Sequence, residues 1–116
     1  MKIAIASQGN GIKGEVAGHF GTCPEFVLVE AKDGKTISAK TFPNPCFGKH
    51  MPGEVPKFMK EIGADIVIAG GIGPLAVKFL NEYQIKMVTG VKGKIEGIVS
   101  DYLEGKLKAM ENDCSH

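Results

Sequence analysis

The stretch at residues 63–74, GADIVIAGGIGP, constrains the fold of this chain more than any other. After Asp65 comes a nearly unbroken apolar run, Ile66-Val67-Ile68-Ala69, as expected of a strand buried on both faces of a parallel sheet. Gly70-Gly71-Ile72-Gly73 then turns the chain, and Pro74 suits the first position of a helix, where a missing N–H costs little. Strand, glycine turn and helix N-terminus gather backbone N–H donors and a partial positive charge at one point, which favours an anion. The same glycines also fit a bare tight connection, and spacing alone does not separate the two readings. A valine in place of Gly71 or Gly73 is expected to demand unfavourable backbone angles.

The rest of the chain supplies the neighbours of that strand. Residues 2–6, KIAIA, read as a first buried strand, and the glycine-rich residues 7–21 as a long loop of the kind usually kept for function. Residues 26–30, FVLVE, form a second strand. Asp33-Gly34 is a hairpin turn, and the more polar residues 36–42 make a third strand suited to an edge. A second irregular loop covers residues 43–53. Val55, Phe58, Met59 and Ile62 then recur at helical spacing, stopped by Gly63. Beyond residues 65–69 the pattern predicts a helix from Pro74 with Ala76, Phe79, Leu80 and Tyr83 on one face. A short strand follows at residues 86–88, and a third helix carries Ile95, Ile98, Val99, Tyr102 and Leu103 up to Gly105. Residues 1–105 thus read as a single α/β domain, and residues 106–116 as a polar, flexible tail.

Right-handed crossovers and a hairpin attached to the first strand give a mixed five-stranded sheet of order 3-2-1-4-5 with strand two antiparallel. This is a three-layer α/β/α sandwich of ribonuclease-H-like topology. Strand directions bring the loops at residues 7–24, 43–53, 70–73 and 89–93 to the carboxyl edge, where open α/β sheets bind ligands. Those loops hold His19, Cys23, Cys46 and His50, which are all the cysteines and histidines outside the tail. Cys114 and His116 sit in the tail.

Composition narrows the partners. A net charge of +1 over 116 residues gives no support for nucleic acid binding, and no apolar run reaches membrane-spanning length. The N-terminus enters a strand directly instead of a signal peptide. Three widely spaced cysteines are an odd number, unsuited to a disulfide framework, and fit a reducing cytoplasm.

Paired CxxC or HxxxH spacing is absent, so a closed zinc site is not expected. Imidazole and thiolate among glycines suit iron or iron–sulfur species, with His19, Cys23, Cys46 and His50 as candidate metal ligands. Too few thiols cluster to hold a conventional cluster from one chain. A preassembled anionic cluster could dock on one or two side chains plus the amides of Gly70, Gly71 and Gly73, as releasable cargo.

Other chemistries fit less well. Gly71-Ile72-Gly73-Pro74-Leu75-Ala76 matches GxGxxA, so a nucleotide or phosphate ligand at the 70–74 turn is the alternative. No acidic residue ends the following strand to take a ribose. A nuclease would need converging carboxylates, yet Asp65 and Asp33 fall at the far end of the sheet and Glu15 stands alone in the first loop. Acyl transfer from Cys46 and His50 lacks an orienting acid and an oxyanion hole.

His19-Phe20-Gly21 ahead of Phe26, the Ser7 turn, GADIVIAGGIGP and Tyr102-Leu103-Glu104-Gly105-Lys106-Leu107 together resemble the dinitrogenase iron–molybdenum cofactor biosynthesis family, of NifX, NafY-core and NifB C-terminal type. The resemblance spans nearly the whole chain. It implies the ribonuclease-H-like fold and a non-catalytic role in binding or carrying iron–molybdenum cofactor or an iron–sulfur precursor, with His19 as leading ligand. Cluster donors and acceptors would be its partners, and the protein a monomer or weak homodimer. The second loop departs from the family, with Cys46-Phe47-Gly48-Lys49-His50 where relatives carry a glycine- and histidine-rich run.

Overall fold

The computed structural model describes residues 1–47, 53–107 and 110–112, the last of these as backbone. Strand β1 (Lys2–Ser7) pairs antiparallel with β2 (Glu25–Lys32), which returns through a hairpin into β3 (Lys35–Pro43). The turn between them puts Asp33 and Gly34 at φ 53° and 77°. Two successive positive angles match the right-handed twist of the flanking strands, and aspartate and glycine tolerate them. On its other side β1 runs parallel to β4 (Ile66–Ile68), and β4 parallel to β5 (Lys86–Thr89). Helices α1 (Glu54–Glu61) and α2 (Pro74–Glu82) lie in the crossovers that lead into β4 and β5, and α3 (Ile95–Leu103) follows β5.

The expected order 3-2-1-4-5 stands, and the sheet extends by one strand. Strand β6 (Met110–Asn112) pairs antiparallel with β5, so the order is β3-β2-β1-β4-β5-β6. Backbone pairing of three residues leaves no mark in the polar sequence of the tail, where a side-chain pattern gives no strand signal.

Alternation along the inner strands builds two cores. Ala4, Ala6, Phe26, Leu28, Val67, Ala69 and Met87 meet Val55, Met59 and Leu80 of α1 and α2. Ile3, Ile5, Val27, Val29, Ile66, Ile68 and Val88 meet Ile95, Ile98 and Val99 of α3. Apolar residues on both faces of β1, β2 and β4 therefore demand a helical layer on each side, which is the three-layer sandwich. β3 is almost wholly exposed, in keeping with its lysines, threonines and serine at a sheet edge. Among the described residues no helix is long and apolar enough to cross a membrane.

Topology fixes which groups can meet. Asp65 lies at the amino end of β4, where its Oδ2 accepts the Lys2 N–H at 2.8 Å. The glycine turn and the first and second loops leave from the other end.

Candidate functional site

At the carboxyl edge the loops are tied to one another by backbone bonds. The Ala17 N–H donates to Ala6 O at 2.7 Å, and Val16 N–H to Gly93 O at 2.9 Å. The Gly70 N–H donates to Ala17 O at 2.9 Å, Phe20 N–H to Gly71 O at 3.0 Å, and Gly90 N–H to Gly70 O at 3.0 Å. Residues 17–20 are thereby laced onto the glycine turn, and the turn onto the loop after β5. The long first loop is ordered rather than slack, with a short 3-10 helix (Gly11–Lys13) and isolated bridges from Ser7 to Val16 and from Glu15 to Lys94.

This lacing explains the glycines. Gly70, Gly71 and Gly73 all lie outside the left-handed region, so the expectation of forbidden backbone angles at Gly71 and Gly73 does not hold. Close approach is the constraint instead. A Cβ on Gly70 would stand 2.8 Å from the Gly18 Cα, and one on Gly71 would stand 3.1 Å from the Gly18 carbonyl oxygen. At Gly73, the N-cap of α2, a Cβ meets nothing within 4 Å. No side chain caps α2 there; Pro74 has no N–H and Val77 N–H donates to Gly73 O at 3.0 Å, which leaves the amides of Leu75 and Ala76 without an intrahelical acceptor.

The sequence-predicted ligands separate into two groups. His19 is exposed, one residue from the Gly18 that packs on Gly70 and one from the Phe20 bonded to Gly71. Cys23 and Cys46 are each only 3% exposed and belong to the core beneath α1 and α2. The Cys23 thiol donates to the carbonyls of Phe20 and Glu25, both at 3.4 Å. Burial pushes this thiol up from its ordinary 9.0 to about 11, against the smaller opposing pull of hydrogen bonds around it. It is a protonated packing group in this conformation. His50, Cys114 and His116 lie outside the described residues. Among the described residues no three histidine, cysteine, aspartate or glutamate side chains converge as a multi-ligand metal centre requires.

Two organising residues escaped the sequence reading. The Glu25 carboxylate, at the start of β2, accepts from Ser7 Oγ at 2.8 Å and from the Gly11 N–H at 2.7 Å, which shapes the first loop. Asn44 Nδ2 donates to Cys23 O at 2.8 Å, while its Oδ1 accepts the Cys46 N–H at the same distance. The signal for Asn44 was present in Pro43-Asn44-Pro45, since asparagine between prolines marks a turn that its side chain can close. Glu25 gave none, because a partner that depends on loop folding has no fixed spacing.

Fold and edge together define a ribonuclease-H-like α/β protein whose carboxyl edge is glycine-rich and, among the described residues, carries one exposed imidazole. Within that class, the chain belongs to the dinitrogenase iron-molybdenum cofactor family, which it matches over residues 1–105. It is 27% identical over 113 residues to the uncharacterized protein MJ0580 of Methanocaldococcus jannaschii, covering 96% of this chain and 92% of that one. The crystal structure of PH0822 superposes with a TM-score of 0.87 at 35% identity, covering 95% of this chain and 96% of the other. The apo form of the orange protein from Desulfovibrio gigas superposes with a TM-score of 0.83 at 24% identity, over 97% and 96% of the two chains. This last likeness speaks to the fold alone.

Proposed function

We propose that this protein is a non-catalytic carrier that binds a preassembled iron–sulfur or iron–molybdenum cluster, or its precursor, during cofactor biosynthesis in a reducing cytoplasm. One observation carries the reading: the exposed His19 is locked by backbone bonds beside the Gly70–Gly71 turn and the uncapped entrance of α2. An imidazole offers one metal bond, while the helix dipole and the amides of Gly71 and Gly73 favour the negative charge of a metal–sulfur core; the Gly70 N–H, expected to join them, is already given to Ala17 O. The backbone that carries these donors is already ordered by the lacing, so only the His19 side chain has to settle on the cargo. A single side-chain bond also leaves it releasable to an acceptor protein, and membership of the cofactor family agrees with such a role. In this reading Cys23 and Cys46 pack the floor and do not touch the cargo.

The nucleotide alternative finds less support. β5 ends at Thr89 and is followed by Gly90, without a carboxylate for a ribose. The test is anaerobic reconstitution with iron and sulfide, with and without molybdate, followed by metal analysis and absorption spectroscopy on the native chain and on His19→Ala. Stoichiometric, His19-dependent metal uptake supports the carrier. If nucleotides raise the melting temperature and iron–sulfur species do not, the alternative replaces it.

A further inference from the structure

The glycine turn has a second open side. Between the first loop and the loop after β5 lies a cleft of about 440 Å³, bounded by backbone at Gly18, Gly70, Gly90 and Gly93. Its volume falls within the roughly 300–1,000 Å³ usual for small-ligand sites. Four glycines mean that peptide groups, unshielded by side chains, form much of the wall. Two ionised side chains line it: Lys92, from the loop after β5, and Glu15, from the first loop. Both are exposed, and Lys92 takes part in no ion pair among the described residues. Gly18 borders this cleft and immediately precedes His19, so the two regions are continuous along the backbone.

We propose that the cargo site extends from His19 across the Gly18–Gly70 contact into this cleft, where the Lys92 ammonium supplies the counter-charge for an anionic metal–sulfur cluster and Glu15 opposes it. The inference rests on the carrier reading above and adds an electrostatic arm to it. Opposed charges on one cleft make a sharp prediction, because removing each must shift the affinity for an anion in opposite directions. A structural role for either residue has no reason to produce that pair of signs. Gly18 gives a steric handle as well. Its backbone lies outside the left-handed region and an added Cβ meets nothing within 4 Å, so a bulky side chain can be placed at this border of the cleft without straining the loop.

The probe is a synthetic thiolate-ligated iron–sulfur cubane, a dianion, titrated anaerobically into the full chain and followed by absorbance. Lys92→Gln should weaken binding and Glu15→Gln tighten it, each by about two- to fivefold, as expected of solvated charges. Both effects should shrink at high salt. Gly18→Val should weaken binding with the melting temperature unchanged, and Lys78→Gln, on the outer side of α2, should leave affinity as it was. Unchanged affinity in both charge variants, shifts of the same sign, or an equal loss in Lys78→Gln would overturn the proposal. If His19→Ala still abolishes uptake in that case, the carrier reading survives without its electrostatic arm. If His19→Ala has no effect either, the carrier reading falls with it.

Discussion

An exposed imidazole that makes no hydrogen bond among the described residues adds little to the core, so His19→Ala should change stability by less than about 0.5 kcal/mol. The same change should weaken cluster binding about tenfold or more, equivalent to about 1.4 kcal/mol, when iron uptake is titrated beside a thermal melt. Cys23 reports on the interior instead. Its folded-state pKa is raised, to about 11 from 9.0, so its contribution is complete below pH 9 and is lost as pH climbs toward 11. Denaturant unfolding should show the native chain losing on the order of 2 kcal/mol across that window relative to Cys23→Ala, in which this titration is gone. Native-state alkylation at pH 8 should likewise be slow at Cys23, because the reactive thiolate is scarce.

Among the elements, the turn between β4 and α2 makes distinct demands at each glycine. Gly70→Ala drives a methyl against the Gly18 backbone, which cannot rotate away, and should cost about 1–3 kcal/mol of stability by denaturant unfolding. Gly73→Ala enters open space at an ordinary backbone angle and should cost no more than about 1 kcal/mol, the difference between glycine and alanine at an N-cap. The sequence announced the turn itself, since glycines between a β-branched run and Pro74 permit little else. It did not announce why each glycine is there, because the answer lies in the loop at residues 17–20, some fifty positions away. The same holds for the thiols. Loop topology correctly brought Cys23 and Cys46 to the carboxyl edge, but side-chain burial depends on packing under α1 and α2, which spacing does not encode. Inner strands and helices were legible because apolar residues recur at the periods of two and 3.6 that strands and helices impose.

For the whole molecule, the strand missing from the pattern has the larger consequence. β6 covers the outer edge of β5, where Met87 and Val88 are buried in opposite cores. A chain ended after Leu107 lacks that cover and presents the β5 backbone as an unpaired edge, the usual template for association. It should unfold at lower denaturant than the full chain and show concentration-dependent association by light scattering. A chain ended after Asn112 keeps β6 but removes Cys114 and His116. If the cargo is held by His19, the glycine-turn amides and Lys92, this second truncation should match the full chain in both stability and cluster affinity. A drop in affinity without a drop in stability would bring the tail's thiol or imidazole into the site. A matched drop in both would mean that residues 113–116 support the sheet.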